Sequence, residues 1–317
     1  MNTPTPTLGT IAFIGLGMMG HGMAKNLLAK GYGLRFVAHR NRANLADLIE
    51  AGAVEASSRA ELVRGDGGGD GGGVVALILC VTGTPEVEQI VYGGDNSADG
   101  LLAVAGPGLL VIDASTAEPA SAARIRDAFA SRGVTYVDAP LTRTPQHAEQ
   151  GLLNTMVGAS PEDFARAQPI LATFCENIFH VGPPGHGHVV KLISNMLAMT
   201  MAASIAEAMA TAAKAGVSLQ KAFDVISAGG VNSGIFQLTV GRMLQGDLAG
   251  LQFSITNARK DLRYYTHLAE MLPTSSFLAE AAHQSFVQAD NLGLGERYIA
   301  SLFEAQEQLN NVKIVPR

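Results

Sequence analysis

Short β-branched runs alternate with stretches of helical period from Thr10 to about His180. That alternation predicts a parallel sheet whose strands are joined by crossover helices. The predicted strands are 10–14, 34–38, 74–81, 109–113 and 135–138, and apolar runs at 155–157 and 178–181 can extend the sheet. Between the first two strands 18–30 is helical: Met23, Leu27 and Leu28 recur at near-helical spacing, and Gly31 can supply a left-handed cap. At Gly182-Pro183-Pro184-Gly185 the pattern changes, and long helical stretches run on to about Leu309. The fold expected is α/β: a doubly wound sheet domain over 1–182, then an all-α domain over 183–317 entered through a long helix. That helix, about 186–215, would be roughly 45 Å long at 1.5 Å per residue. It is apolar on more than one face, so it must form the core of the second domain or part of a subunit interface.

Composition narrows the class. Apolar residues make up 47% of the 317 and charged residues 16%, a balance that folds and does not stay disordered. The net charge of -6 and the scatter of Lys and Arg argue against nucleic acid as a partner. Cys80 and Cys175 lie in apolar stretches with no neighbour at metal-ligand spacing, so no metal site is expected and a reducing cytoplasm fits. The polar leader 1–8 lacks a secretory pattern. The apolar run between Lys191 and Glu207 is shorter than the roughly 20 residues of a membrane span and reads as a buried helix, so no membrane is expected. Residues 64–73, RGDGGGDGGG, read as a flexible surface loop.

Chemistry enters at Gly15-Leu16-Gly17-Met18-Met19-Gly20, a GxGxxG placed after a strand and opening a helix. There backbone amides and the helix dipole can hold a pyrophosphate, as in a Rossmann dinucleotide site. Gly15 permits the tight turn, Gly17 close approach of the phosphate, and Gly20 packing of helix on strand; Leu16, Met18 and Met19 complete the cofactor turn. The second strand ends Val37-Ala38-His39-Arg40-Asn41-Arg42, with no Asp or Glu to hold a ribose 2'-hydroxyl. Arg40, helped by Arg42, can bind a 2'-phosphate instead, and a solvated basic turn is the alternative. NADP is therefore favoured over NAD, with His39 and Arg40 as cofactor residues.

The run from Phe13 through Asn26 to Leu27 resembles the N-terminal signature of the 3-hydroxyisobutyrate dehydrogenase, or β-hydroxyacid dehydrogenase, family. Three later segments are similar to that family in the expected order: Asp113-Ala114-Ser115-Thr116 with Pro119, Gly185-His186-Gly187 followed by Lys191 and Asn195, and Phe253 followed by Lys260-Asp261-Leu262. The resemblance implies hydride transfer between NAD(P) and a small hydroxy acid, Lys191 as catalytic residue, Lys260 near the cofactor, and a homodimer or homotetramer. Independently of it, an ammonium near the start of an apolar helix can hydrogen-bond a substrate oxygen and exchange its proton. A snorkelling lysine is the alternative. Asn195, one turn on and on the same face, can orient the substrate or the lysine; Ser194 stands where the family usually has a further Asn. Ser115 and Thr116 follow a strand end where ligands of this fold collect, Thr116 toward the cofactor as well; equally, either can cap the helix beginning near Pro119. Lys260 and Asp261 can equally be a surface pair on an amphipathic helix.

Where the family usually reads Asp-Ala-Pro-Val-Ser-Gly-Gly, this chain has Asp138-Ala139-Pro140-Leu141-Thr142-Arg143-Thr144. Arg143 replaces a glycine. Its guanidinium can grip a carboxylate or sulfonate, with hydroxyls from Thr142 and Thr144; the variant is similar to the sulfolactaldehyde reductases, and an outward-facing loop arginine is the alternative. The expected substrate is a small acidic 3-hydroxy acid or its semialdehyde. Two other readings stay open: an imine reductase, which usually lacks the lysine, and a catalytically silent nucleotide-binding member of the fold.

Overall fold

A computed structural model describes residues 8–38, 42, 45–64 and 73–316. Residues 1–7, His39, Arg40 and 65–72, on which the leader, cofactor-selecting and glycine-rich-loop readings rest, lie outside the described residues.

Among the described residues nine strands form one sheet: β1 Thr10–Ile14, β2 Gly33–Val37, β3 Val54–Glu55, β4 Val74–Leu79, β5 Leu110–Asp113, β6 Thr135–Asp138, β7 Leu141–Thr142, β8 Leu153–Gly158 and β9 Cys175–Gly182. Their order is β3-β2-β1-β4-β5-β6-β8-β7, with β9 also on β8. The first six are parallel, and their order reverses between β1 and β4. The central strands are continuous apolar runs because helices cover both faces. Ile11, Phe13, Phe36 and Ile78 point to one buried layer and Ala12, Ile14, Leu77 and Leu79 to the other. Phe13 and Phe36 are wholly buried, each stabilising the fold by about 1.5–3 kcal/mol.

The expectation of a parallel sheet needs correction at one edge. β8 runs antiparallel to β6 and β7. Asp138 faces Gly158, Leu141 faces Thr155 and Thr142 faces Asn154, so β6 and β7 form one interrupted strand along which β8 returns after the helix Pro145–Glu149. β3 and β7, two residues each, are too short to show an alternating pattern in sequence.

The helix Gly20–Ala29 seats the helix Pro145–Glu149. A Cβ at Gly22 would lie 2.5 Å from the Ala148 carbonyl carbon, so the two backbones touch. Asn26 Nδ2 donates to the carbonyls of Gly22 at 2.8 Å and Ala148 at 3.0 Å. His21 adds bonds to Glu149 at 2.6 Å and Asp47 at 3.0 Å. Burial lowers the His21 pKa, but the bonds and charges of those carboxylates outweigh it and raise it above the ordinary value.

The chain divides into two compact units, Met1–Lys191 and Leu192–Arg317. The division falls inside the long helix His186–Lys214, later than the Gly182–Gly185 turn, so the first turns of that helix go with the sheet. In the second unit the helices Leu219–Ser227, Ile255–Met271, Phe277–Ala289 and Leu302–Asn310 surround a core of Met199, Phe236, Leu262, Phe286 and Phe303. Ser218 and Ser254 cap two of these helices, each accepting an amide three residues on. The long helix is long and apolar enough to cross a membrane by length and composition. It nonetheless buries Met199, Ala202, Ala206 and Met209 in this core and leaves Ile193, Leu197 and Met201 exposed.

Candidate active site

Strand register gathers the candidate residues. Val37, Ile14, Leu79, Asp113 and Asp138 pair in one row across β2, β1, β4, β5 and β6, at the carboxyl ends of parallel strands. Ligands of open α/β sheets collect at that edge, next to the point where strand order reverses. Ile14 and Asp138 stand three strand spacings apart, about 14 Å at the usual separation. The glycine turn leaves the row at Ile14, and Ser115 and Thr116 leave it after Asp113.

Each glycine of the turn has its own reason. Gly15 has φ 106°, and a Cβ there would lie 2.2 Å from the Cys80 carbonyl oxygen. At Gly20 a Cβ would lie 2.0 Å from the Gly15 oxygen and 3.0 Å from the Phe13 ring. At Gly17 it would meet nothing within 4 Å: no packing forbids a side chain there, and the space is open. Leu16 and Met19 rest on the core while Met18 is exposed. The helix that follows has no acidic residue in its first turn and no side-chain cap. The His21 amide donates to the Gly17 carbonyl at 3.0 Å, but no side chain caps this helix start, and an uncapped start suits the pyrophosphate of a dinucleotide. Arg42 is exposed and pairs with Glu55 at 2.6 Å.

Beyond β5 the side chains take over. Asp113 is completely buried. Its carboxylate accepts the Ser115 amide at 2.9 Å and the Tyr136 hydroxyl at 2.6 Å, and His188 Nε2 lies 3.6 Å away. Burial pushes its pKa up, but the interactions with His188, Tyr136 and Ser115 outweigh this and hold it below the usual carboxylate value. Ser115, expected to touch substrate, is also buried, and its hydroxyl accepts from the Val81 amide at 3.0 Å, tying the loops after β4 and β5 together. Thr116 is the partly exposed member of the pair. Neither caps the next helix: Glu118 is its N-cap residue and Pro119 opens it.

Asp138, also completely buried, reaches the start of the long helix. It accepts the amide of Gly185 at 2.6 Å and that of His188 at 3.0 Å. Lys191, one turn further along, is half-buried. Asp113, Asp138 and His188 as supports of the site were not foreseen from sequence.

In the second unit, buried Asn195 donates its amide to Asp261 at 2.5 Å, and Lys260 pairs with Asp261 at 2.8 Å and stands 4.8 Å over the Tyr264 ring. The Lys260–Asp261 pair is thus part of a partly buried network, and the Asn195 amide serves Asp261.

Arg143 has φ 83°, the left-handed region that favours glycine, at the position where the resemblance places a glycine. The loop keeps the glycine backbone and bears an arginine, at a cost of about 1–2 kcal/mol. Its guanidinium donates to the Leu152 carbonyl at 2.6 Å and pairs with Glu176 at 2.5 Å. Thr142 pairs with Asn154 across the strands, and the Thr144 hydroxyl bonds His147 Nδ1 at 2.7 Å.

Residues 10–182 match the family model of the NAD binding domain of 6-phosphogluconate dehydrogenase, and residues 185–305 match that of the NAD-binding of NADP-dependent 3-hydroxyisobutyrate dehydrogenase. The chain is 33% identical to a 3-hydroxyisobutyrate dehydrogenase of Pseudomonas aeruginosa, over 94% of its own length and 99% of the relative's. It is 30% identical to the 3-sulfolactaldehyde reductase of Escherichia coli strain K12, over 94% and 95%. Among solved structures, a 3-hydroxyisobutyrate dehydrogenase from Salmonella typhimurium superposes with a TM-score of 0.79 at 29% identity, covering 93% of this chain and 99% of the other.

Proposed function

The chain belongs to the 3-hydroxyisobutyrate dehydrogenase family of NAD(P)-dependent β-hydroxyacid dehydrogenases, and on that premise we propose a substrate class, a cofactor preference and a catalytic group. The reaction is hydride transfer at the hydroxyl-bearing carbon of a small 3-hydroxy acid, or at the aldehyde carbon of the matching semialdehyde. Lys191 carries the proton. The observation that carries this reading is the shared edge: the glycine turn leaves β1, and the helix bearing Lys191 starts on Asp138 of β6, in one register row.

When bound, the nicotinamide supplies the two-electron hydride chemistry. The chain's own part begins with Gly15, Gly17 and the leading amides of the helix Gly20–Ala29, which hold the pyrophosphate. In the oxidation direction the Lys191 amine takes the proton of the substrate hydroxyl; in the reduction direction its ammonium returns one to the carbonyl oxygen. Such general acid–base assistance is worth about 10²–10⁴ in rate. Thr116 is the substrate contact of its loop, and Ser115 shapes that loop through Val81. For Asn195 and Lys260 the support is family resemblance.

The preference for NADP rests on Arg40 and Arg42 and on the lack of an acidic residue at the end of the second strand. The substrate's acid end is assigned to the loop Leu141–Thr144, where an incoming carboxylate or sulfonate exchanges for the Glu176 carboxylate on Arg143, one anion for another. The exposed stripe of Ile193, Leu197 and Met201 supports a homo-oligomer.

Turnover of 3-hydroxyisobutyrate, serine, threonate and 3-sulfolactaldehyde, each with NADP(H) and NAD(H), tests the proposal. Activity on at least one of these, with kcat/KM about tenfold or more in favour of NADP(H), is expected. Reduction of a cyclic imine without activity on any of them would overturn it.

A further inference from the structure

We infer that Asp138 is a positioning residue for Lys191, holding the lysine-bearing helix through its first backbone amides; the inference rests on the reading of Lys191 as the proton carrier. The amides at a helix start have no partner within the helix. An exposed serine or threonine cap usually supplies one. Here the partner is a completely buried carboxylate from another element, 47 residues from Gly185 and 50 from His188 in the chain.

Two segments are shaped around that carboxylate. A Cβ on Gly158 of β8 would lie 2.6 Å from both of its oxygens, and one on Gly187 of the helix 2.7 Å from Oδ2. Both positions must stay glycine for Asp138 to fit. Burying a carboxylate is costly unless its partners satisfy it. Two amides at 2.6 and 3.0 Å do so here, and they fix the helix start in height and in rotation. His188 gives the same turn a second hold: its ring is completely buried 3.6 Å from Asp113, the neighbour of Asp138 in the strand row.

Lys191 follows His188 by three residues, about 4.5 Å along the axis. Any tilt of the helix start is therefore passed to the lysine almost undamped. Catalytic geometry tolerates little of that: a displacement of about 1 Å can cost about 10² in rate. The carboxylate touches neither substrate nor cofactor in this role and acts through the helix.

The test is a double-variant cycle in the full-length protein with NADP and 3-hydroxyisobutyrate, or with whichever of the four compounds above turns over fastest, NADP serving the hydroxy acids and NADPH the aldehyde. Asp138→Asn keeps the shape but replaces one acceptor oxygen with a donor facing a backbone amide. It should lower kcat at least 30-fold while KM and the NADP dissociation constant stay within threefold and the NADP-binding stoichiometry is unchanged, which excludes loss of folded enzyme as the cause. Lys191→Ala should lose nearly all turnover, and adding Asp138→Asn to it should change the residual rate by less than twofold, because the positioned group is gone. A kcat for Asp138→Asn within twofold of wild type, or a further large loss in the double variant, would overturn the inference. Substantial turnover in Lys191→Ala would instead remove the reading beneath it. Should Asp138→Asn fail to bind NADP, Asp138→Ser, which empties the glycine-walled space instead of filling it, must give the same split.

Discussion

At the β1 end of the edge row the site is made of backbone: Gly15 and Gly20 leave no room for a Cβ, and Gly17 opens into free space. At the β6 end it is made of side chains: Asp113 and Asp138, both fully buried, hold Ser115, Tyr136 and the first turn of the long helix. In the proposed function the first end binds an extended, charged ligand through amides and needs nothing to project. The second would place one ammonium by anchoring the element that carries it. On that reading binding and chemistry use opposite means on one strand edge.

The sharpest way to break this contrast lies within the glycine turn. Gly17→Asp puts a carboxylate into the open space that the proposed function gives to phosphate, where no atom lies within 4 Å of a Cβ. Cofactor affinity should fall about 100-fold, or about 2.7 kcal/mol, with the melting temperature within about 2 °C of wild type. Gly20→Ala meets the Gly15 oxygen and should cost about 1–3 kcal/mol of stability as well. Calorimetric titration with NADP beside thermal melts separates the two; a large stability loss in Gly17→Asp would mean that its space belongs to the fold.

A smaller effect sharpens the other end. If the Arg143 guanidinium exchanges Glu176 for the substrate's acid group, Arg143→Ala should raise KM about tenfold and Glu176→Gln lower it about threefold, with kcat little changed. Unchanged KM in both would leave Arg143 as a strand tether to Glu176 and Leu152.

The same contrast explains what was legible in sequence. A backbone-built turn requires glycine at fixed spacing beside a strand, so Gly15, Gly17 and Gly20 announce themselves locally. The strands β1, β2, β4, β5 and β6 and the long helix are legible for the same reason, since their apolar patterns lie within a single segment. Asp138 and His188 meet across 50 residues, and neither carries a local mark of its partner. The visible trace is that Asp113 and Asp138 each close a strand before an alanine, a pattern that gains meaning only once the register sets them side by side. Asn26 was legible as part of a signature but not for what it does, which is to hold the helix Pro145–Glu149. Arg143 stood out as a departure from a glycine; its partner Glu176, 33 residues away, did not.

In the proposed function one edge both holds the dinucleotide and delivers the proton through Lys191. The direct measurement is the NADP dissociation constant and the turnover of Lys191→Ala in one preparation. Binding within about threefold of wild type is expected, with turnover lower by about 10³ or more, at the upper part of the range for acid–base groups. Turnover within tenfold of wild type, with binding intact, would contradict it.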